Sequence, residues 1–280
     1  PPLSATGVAR APAPPVAFLF PGGGAQAPDT ARDLLWHPAF REAVDEGLAA
    51  LAPALPAALH AQVSCGLFTP GGGDWLEQPA LGLPALCVVE VALARLWQAT
   101  GLDPCAVLGH SAGEVAAACV AGLLDLPDAM RLAAWRGELL ASAAGGMLAV
   151  DAPEARLQPW LDALGLDLAA VNAPDLCMVS GPLDAMAALR VRLEEAGIES
   201  RRLRVAVAAH SGAVDAVVGE LTARVASLTA RPAQRPFLSS VDGRWIAPGQ
   251  RLPEGYWGRH LRQPVRFALA LQALWRDHAQ

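Results

Sequence analysis

The chain has 280 residues, 53% of them hydrophobic and 17% charged, so it can bury a large core and is not intrinsically disordered. Its formal net charge is −6 without any basic cluster, which argues against a nucleic acid as its main ligand. The absence of lysine excludes Schiff-base chemistry and a Walker-type phosphate loop.

Cysteine usage and the ends of the chain indicate its setting. The five cysteines are scattered and lack metal-ligand spacing, so we expect buried thiols in a reducing cytoplasm and no bound metal. No apolar run reaches the 18 residues of a membrane span, and we expect no membrane. Residues 1–15 are rich in Pro and Ala, which is typical of a linker, and we expect a piece of a longer polypeptide.

The first predicted element is an apolar strand at residues 16–20, and a loop with three glycines at residues 22–24 follows it. Open α/β sheets place their ligands at the carboxyl ends of strands. The glycines would bring backbone N–H groups close to a reacting oxygen there; the alternative is a simple turn. Helices are predicted next at residues 31–51 and, between Pro79 and Gly101, at residues 79–97.

A short apolar strand at residues 106–108 leads into Gly109-His110-Ser111-Ala112-Gly113, and small and apolar residues at helical spacing follow at 115–124. This strand, turn and helix context is what a G-x-S-x-G nucleophile elbow requires. Ser111 would then stand at a helix N-terminus that favours developing negative charge. The alternative is a tight turn with a surface serine.

The next predicted helix begins at Pro127 and carries Arg136 on an otherwise apolar face. A buried guanidinium needs an anionic partner. A substrate carboxylate held by two hydrogen bonds would provide one. A salt bridge to Glu138 or Asp128 is the equally weighted alternative.

From residue 146 the predicted order changes to β-α-β-β-α-β, with strands at 147–150, 166–171, 176–180 and 200–207 and helices at 153–164 and 184–196. This order is that of a ferredoxin-like unit. We therefore expect an α/β protein whose large lobe, residues 16–145 and 209–280, has a parallel sheet, and whose small lobe, residues 146–208, is inserted into it. A cleft would lie between the lobes.

After the small lobe, the pattern predicts a helix at 213–228, a strand at 236–241 and a final helix at 267–275. A serine needs a general base, and His210 is the best of the six histidines because it lies among small residues where the chain re-enters the large lobe. The alternative is a structural histidine.

Eight short motifs, in order, resemble the signature of acyltransferase domains of modular polyketide synthases, which are related to malonyl-CoA:acyl carrier protein transacylases. The resemblance runs from about Val16 to the end of the chain. The motifs lie at residues 20–26, 78–81, 109–114, 136–137, 146–147, 171–172, 209–211 and 256–267.

The resemblance implies an α/β-hydrolase-like large lobe with a ferredoxin-like insert, and a Ser–His dyad of Ser111 and His210. It implies an oxyanion hole formed by the N–H groups of Gly23 and Ala112, and an extender carboxylate held by Arg136. The remaining positions that it places around the substrate are Gln78, His110, Asn172, Val207, Ala209 and His260.

Two motifs depart from the family's usual residues. Gly23 replaces a glutamine, which keeps the backbone donor and loses a side chain. The specificity motif, which usually reads His-Ala-Phe-His for malonyl and Tyr-Ala-Ser-His for methylmalonyl, is Val207-Ala208-Ala209-His210 here. It matches neither, so malonyl is favoured only as the family's commonest extender, and methylmalonyl remains open.

The resulting hypothesis is an acyltransferase of polyketide or antibiotic biosynthesis that needs no bound cofactor. It would load a malonyl-type unit from acyl-CoA onto the phosphopantetheine arm of an acyl carrier protein. Its expected partners are that carrier protein, a neighbouring ketosynthase and other domains of the same synthase. The alternatives are a serine hydrolase or editing thioesterase acting on acyl carrier protein, and a non-catalytic scaffold module.

Overall fold

The structure is a computed structural model that describes residues 15–69, 73–203 and 207–278. The expected linker therefore lies outside the described residues, except for Pro15. The elements in chain order are β1 (Ala17–Phe20), α1 (Pro38–Leu51), α2 (Ala57–Gly66), α3 (Pro79–Ala99), β2 (Ala106–Gly109), α4 (Gly113–Val120), α5 (Leu126–Leu140), β3 (Gly146–Val150), α6 (Glu154–Leu164), β4 (Asp167–Ala173), β5 (Leu176–Gly181), α7 (Leu183–Glu195), β6 (Ser200–Arg202), α8 (Asp215–Val225), β7 (Phe237–Leu238), β8 (Trp245–Ile246), α9 (Tyr256–Arg262) and α10 (Phe267–His278).

The first sheet has the order β1-β2-β7-β8, in which β1, β2 and β7 are parallel and β8 is antiparallel to β7. All four residues of β2 are buried, which fits a strand covered on both faces. The largest apolar cluster of the protein packs around this sheet and contains residues of α1, α3, α4 and α5. The sheet therefore fixes the end of β2, where the predicted elbow begins.

Helix α3 is long and apolar enough to pass for a membrane span by length and composition, and among the described residues it is the one helix that does. However, 78% of its most apolar window is buried inside the protein. It makes many contacts with α1 and α5. Packing in the core therefore accounts for its composition.

The second sheet has the order β4-β5-β3-β6 with antiparallel neighbours. Side chains alternate across a strand, so Leu148 and Val150 of β3 pack against α6 and α7 while Met147 and Ala149 face the opposite side. An irregularity between Leu168 and Ala170 interrupts the pairing of β4 with β5. Helices α6 and α7 do not cover this second face of the sheet, which borders the cavity described below.

Several predicted boundaries differ from the structure. The helix expected at residues 31–51 begins only at Pro38, because Asp29 and Ala31 have positive φ and only a short 3-10 turn, Arg32–Leu34, precedes it. Where a strand was expected at 200–207, the structure has β6 at Ser200–Arg202 and an isolated bridge between Val207 and Ala144. Residues 204–206 lie outside the described residues. The short helix α9 was not predicted.

Candidate active site

The turn after β2 has the tight geometry predicted from its glycines. Ser111 has φ of 49°, a left-handed conformation that is rare for a residue with a side chain. A Cβ on Gly109 would lie 2.1 Å from Cα of Glu114, and one on Gly113 would lie 2.2 Å from the Pro21 carbonyl oxygen. Only glycine therefore fits on either side of the serine, between β2 and α4.

Ser111 and His210 are in direct contact. The serine hydroxyl donates to Nε2 of His210 at 2.7 Å, and Nδ1–H of His210 donates to the Gln263 carbonyl oxygen at 2.9 Å. These two contacts assign the neutral tautomer that presents a lone pair to Ser111. The carbonyl, which belongs to the segment after α9, orients the imidazole where a carboxylate does so in other sites.

His210 is only 3% exposed. Burial holds its pKa well below the usual value, and His260 and His110 in their protonated forms and the charge of Arg136 act in the same direction, whereas the hydrogen bond to Gln263 raises it. The imidazole is therefore neutral at neutral pH. It can accept the proton of Ser111 directly.

The glycine-rich loop after β1 packs against the elbow. A Cβ on Gly22 would lie 2.7 Å from the His110 carbonyl oxygen and 3.3 Å from Cβ of Ser111. Within the described part of the chain, the N–H groups of Gly23 and Ala112 have no hydrogen-bond partner. Both residues line the same cavity as Ser111, which is compatible with the expected oxyanion hole.

A cavity of about 260 Å³ lies between the two sheets and contains these groups. The glycine-rich loop, the elbow, His210 and Arg136 line one side of it, and the second sheet and the residues next to it contribute mainly apolar side chains. Both candidate specificity residues line it. The apolar part of its wall includes Met147, Ala170, Met178, Leu203, Val207 and Ala209.

Arg136 is 1% exposed and lines the same cavity. The two acids considered as its partners are engaged elsewhere: Glu138 pairs with Arg224 at 2.6 Å, and Asp128 pairs with Arg131 at 3.2 Å. Among the described residues, Arg136 forms no ion pair with a carboxylate. Burial lowers its pKa to about 10, although the charge of Glu114 raises it, so the guanidinium stays charged at neutral pH.

His110 and Asn172 come together across the two lobes. Nε2–H of His110 donates to Oδ1 of Asn172 at 2.8 Å, and both residues line the cavity. The His110 ring also contacts Phe267 edge-on, with 5.1 Å between the ring centroids. Burial lowers the pKa of His110, although the hydrogen bond with Asn172 and the negative charge of Glu114 raise it.

Two residues with a predicted role at the substrate lie outside this wall. Gln78 is an exposed N-cap of α3, and among the described residues its neighbours Glu77 and Pro79 line the cavity while it does not. His260 is buried behind the cavity, where it accepts a hydrogen bond from Nη1 of Arg136. His260 therefore contacts the guanidinium and not the cavity.

Sequence reasoning missed two groups at the site. Glu114, the residue after the elbow, is fully buried and lies at ion-pair distance from His260. Its charge in an otherwise apolar helix was the signal that could have identified it. The Gln263 carbonyl has no such signal, because a backbone group leaves no trace in the residue type.

The chain resembles known proteins along nearly its whole length. The family model described as "Acyl transferase domain" matches residues 17–280. Polyketide synthase GfsB of Streptomyces halstedii is 40% identical over 264 residues, which are 92% of this chain and 5% of that protein. Erythronolide synthase EryA3 of Saccharopolyspora erythraea is 38% identical over 264 residues, which are 92% of this chain and 8% of that protein. The chain thus spans a small part of these relatives.

Solved structures give the same result. The acyl transferase domain of SpnD, in complex with 2-(pent-4-yn-1-yl)malonyl, superposes with a TM-score of 0.88 at 36% identity, over 98% of this chain and 65% of that chain. The malonyl CoA-acyl carrier protein transacylase of Coxiella burnetii superposes with a TM-score of 0.83 at 25% identity, over 94% of this chain and 84% of that chain. The chain therefore belongs to the acyl transferase domain family, among relatives from modular polyketide synthases and malonyl-CoA transacylases, and it is a transferase enzyme.

Proposed function

We propose that this domain transfers a malonyl-type group from CoA to the phosphopantetheine thiol of an acyl carrier protein, through an ester on Ser111. One observation carries the proposal. A buried, charged guanidinium without a carboxylate partner among the described residues lines the same cavity as a hydrogen-bonded Ser–His pair. Such a guanidinium suits an acyl group that ends in a free carboxylate.

In the first half-reaction, Ser111 Oγ attacks the thioester carbonyl and its proton passes to Nε2 of His210. The N–H groups of Gly23 and Ala112 stabilise the oxyanion that forms. When the C–S bond breaks, His210 returns the proton to the CoA thiolate. In the second half-reaction the carrier thiol gives its proton to His210 and attacks the ester, and Ser111 regains a proton when the C–O bond breaks.

The carboxylate of the acyl group is the part that Arg136 binds. The acyl transferase domain of SpnD was solved with a substituted malonyl group, which supports a substrate of this class. A serine hydrolase or editing thioesterase would use the same nucleophile. The acceptor distinguishes the two: the transferase gives acyl carrier protein the acyl group, whereas the hydrolase releases the free acid.

The extender is malonyl, with tolerance for methylmalonyl. Ala209 and Val207 line the cavity with other apolar side chains, which leaves space for an α-methyl group. A pocket gains only about 1 to 3 kcal/mol from one methylene-sized contact, so this space permits a methyl without requiring it. A competition assay checks this order, and a tenfold or greater preference for methylmalonyl-CoA would reverse it.

We interpret the two lobes as an α/β-hydrolase-like part, residues 16–145 and 209–280, and a ferredoxin-like insert, residues 146–208. Support comes from the parallel strands β1, β2 and β7, and from the β-α-β-β-α-β order of β3 to β6. The setting that fits is the cytoplasm, beside a ketosynthase and other domains of a synthase that makes a secondary metabolite. The reaction as written uses no bound cofactor.

The test is incubation with malonyl-, methylmalonyl- and acetyl-CoA, followed by intact mass and then by addition of carrier protein bearing phosphopantetheine. We expect a malonyl mass increment on the domain that moves to the carrier. Ser111→Ala should lose the increment. A malonyl mass increment on Ser111→Ala would exclude an ester on Ser111. Release of free malonate without loading of the carrier protein would favour the hydrolase.

A further inference from the structure

The buried acid Glu114 lies behind the arginine of the site. It is on the first turn of α4, its side chain is fully buried, and it accepts hydrogen bonds from the Ser240 N–H at 3.0 Å and from the hydroxyls of Ser240 and Tyr256. Burial raises the pKa of Glu114, but His260 and these hydrogen-bond donors lower it by more. Its pKa therefore lies below the usual value for a glutamate. Glu114 is therefore a carboxylate held by groups from two parts of the chain, the loop after β7 and helix α9.

His260 lies between this carboxylate and Arg136. Nη1 of Arg136 donates to Nδ1 of His260, and Nε2 of His260 is 3.6 Å from Oε2 of Glu114, which is beyond hydrogen-bond length. Because a guanidinium can only donate, Nδ1 carries no proton, and the neutral ring has its hydrogen on Nε2. That hydrogen faces the carboxylate, whose charge favours this tautomer.

We propose that Glu114 and His260 are positioning residues that direct Arg136 toward the substrate carboxylate. Glu114 sets the tautomer and orientation of His260, and His260 accepts one of the five guanidinium N–H groups. The anionic charge lies one side chain away from Arg136, so it offsets the buried positive charge without occupying the donors that face the cavity. A direct Glu–Arg pair would satisfy the guanidinium and compete with the substrate.

This arrangement makes recognition of the carboxylate depend on the charge of His260. A proton on Nδ1 removes the acceptor of Arg136 and places a second positive charge against it. The charged and titratable groups that face His260 are Glu114 on α4, Arg136 on α5, Tyr256 on its own helix, and His210 and His110 from the loops at the cavity. Of these, only Glu114 is an anion at neutral pH.

The inference rests on the proposed function, and its test compares two substrates in each variant. The readout is the ratio of acylation rates with malonyl-CoA and acetyl-CoA, since only malonyl has the carboxylate. His260→Leu removes the acceptor, and a displacement of about 1 Å can cost about 10²-fold, so we expect the ratio to fall by about that factor. His260→Asn places an amide oxygen near the position of Nδ1 and should restore most of the ratio. The matched control is His60→Leu in α2, which should leave the malonyl-to-acetyl ratio unchanged.

A second arm uses the unchanged protein and so does not depend on a variant that folds. Lowering the pH from 8 to 5 should reduce the malonyl-to-acetyl ratio, because a proton on Nδ1 of His260 removes the acceptor of Arg136. Protonation of His210 slows both reactions equally, so its effect cancels in the ratio. The ratio in His260→Asn should be flat over the same range, and Glu114→Gln should lower the ratio at pH 7.5. An unchanged ratio in folded His260→Leu, or equal pH dependence in His260→Asn and the unchanged protein, would overturn the inference. Absence of any acylation would instead contradict the proposed function.

Discussion

At the scale of single residues, the burial of His210 predicts how the acylation rate depends on pH. A general base must be neutral to accept a proton, and burial holds the pKa of His210 well below its usual value. Malonyl acylation should therefore keep its rate as the pH falls through about 6.5, where an exposed histidine would become charged. The measurement is kcat/KM as a function of pH on the acidic side of the profile.

The matching variant is His210→Ala. We expect acylation to fall by about 10² to 10⁴-fold, the usual contribution of general acid–base catalysis. Single-turnover acylation followed by mass spectrometry measures it between pH 6 and 8. Near-normal acylation of His210→Ala in this range would require another base.

Arg136 and Arg131 lie on the same helix, but they differ in burial and in their ion pairing. Arg136 is buried at the cavity, whereas Arg131 is 39% exposed and pairs with Asp128. Arg136→Ala should lower malonyl transfer by about 10²-fold or more and spare acetyl transfer, because only the malonyl carboxylate loses its partner. Arg131→Ala is the control and should change neither rate. Equal losses for both acyl groups in Arg136→Ala would indicate a structural role.

The sequence predicted these side chains because each has a local signature. Ser111 has glycines on both sides, His210 has small neighbours, and Arg136 interrupts an apolar helix face. The contacts that tune them join residues far apart: Gln263 is 53 positions from His210, and His260 is 124 positions from Arg136. Such pairs follow from tertiary packing, which no short window of sequence contains. His260 was accordingly expected only as a residue that lines or orients the site, and its contact with Arg136 could not be predicted.

At the scale of elements, the close crossing of α3 and α5 places Arg136 at the cavity. A Cβ on Gly137 would lie 2.3 Å from the Pro79 carbonyl oxygen and 2.9 Å from Cα of Ala80, so the first turn of α3 rests directly on the α5 backbone. The start of α1 was less predictable, because Asp29 and Ala31 have positive φ where the helical pattern continued. Elements bounded by proline and glycine, such as α3, were predicted well.

Gly137→Ala and Gly219→Ala make the same change in two helices. The added methyl meets backbone at Gly137 and nothing within 4 Å at Gly219. We expect Gly137→Ala to lower the free energy of unfolding by about 1–3 kcal/mol through overpacking. Gly219→Ala should raise it by about 0.5–1 kcal/mol, since alanine is the better helix former. Urea unfolding of both variants checks this, and equal effects would contradict the close crossing.

At the scale of the whole molecule, the segment from Arg262 to Arg266 connects the first sheet's surroundings to the second sheet. Arg262 pairs with Asp167 of β4 at 3.1 Å, Val265 exchanges backbone hydrogen bonds with Ala169 and Val171 of the same strand, and Arg266 pairs with Glu154 of α6 at 2.6 Å. The same segment supplies the Gln263 carbonyl to His210. The second sheet and the general base therefore contact the same stretch of backbone, which couples the shape of the cavity to the orientation of His210.

The buried charges also set how the stability of the whole protein varies with pH. His110, His210 and His260 have lowered pKa values because they are buried, so below about pH 6.5 the unfolded chain binds protons that the folded chain does not. Stability is therefore present at neutral pH and lost as the pH falls. Burial raises the pKa of Glu90 well above its usual value, so this group acts in the opposite direction over the same range.

Three histidines against one glutamate make the unfolded chain take up more protons than the folded chain just below pH 6.5, and each proton of difference corresponds to about 1.4 kcal/mol of unfolding free energy per pH unit. Urea unfolding at pH 7.5, 6.5 and 5.5 measures it. His260→Asn should reduce the slope by up to about 1.4 kcal/mol per unit, because one proton fewer is taken up on unfolding. Glu90→Gln should steepen it by a similar amount, because the opposing group is gone. Slopes that moved in the same direction in the two variants would show that these buried groups are not the origin of the pH dependence.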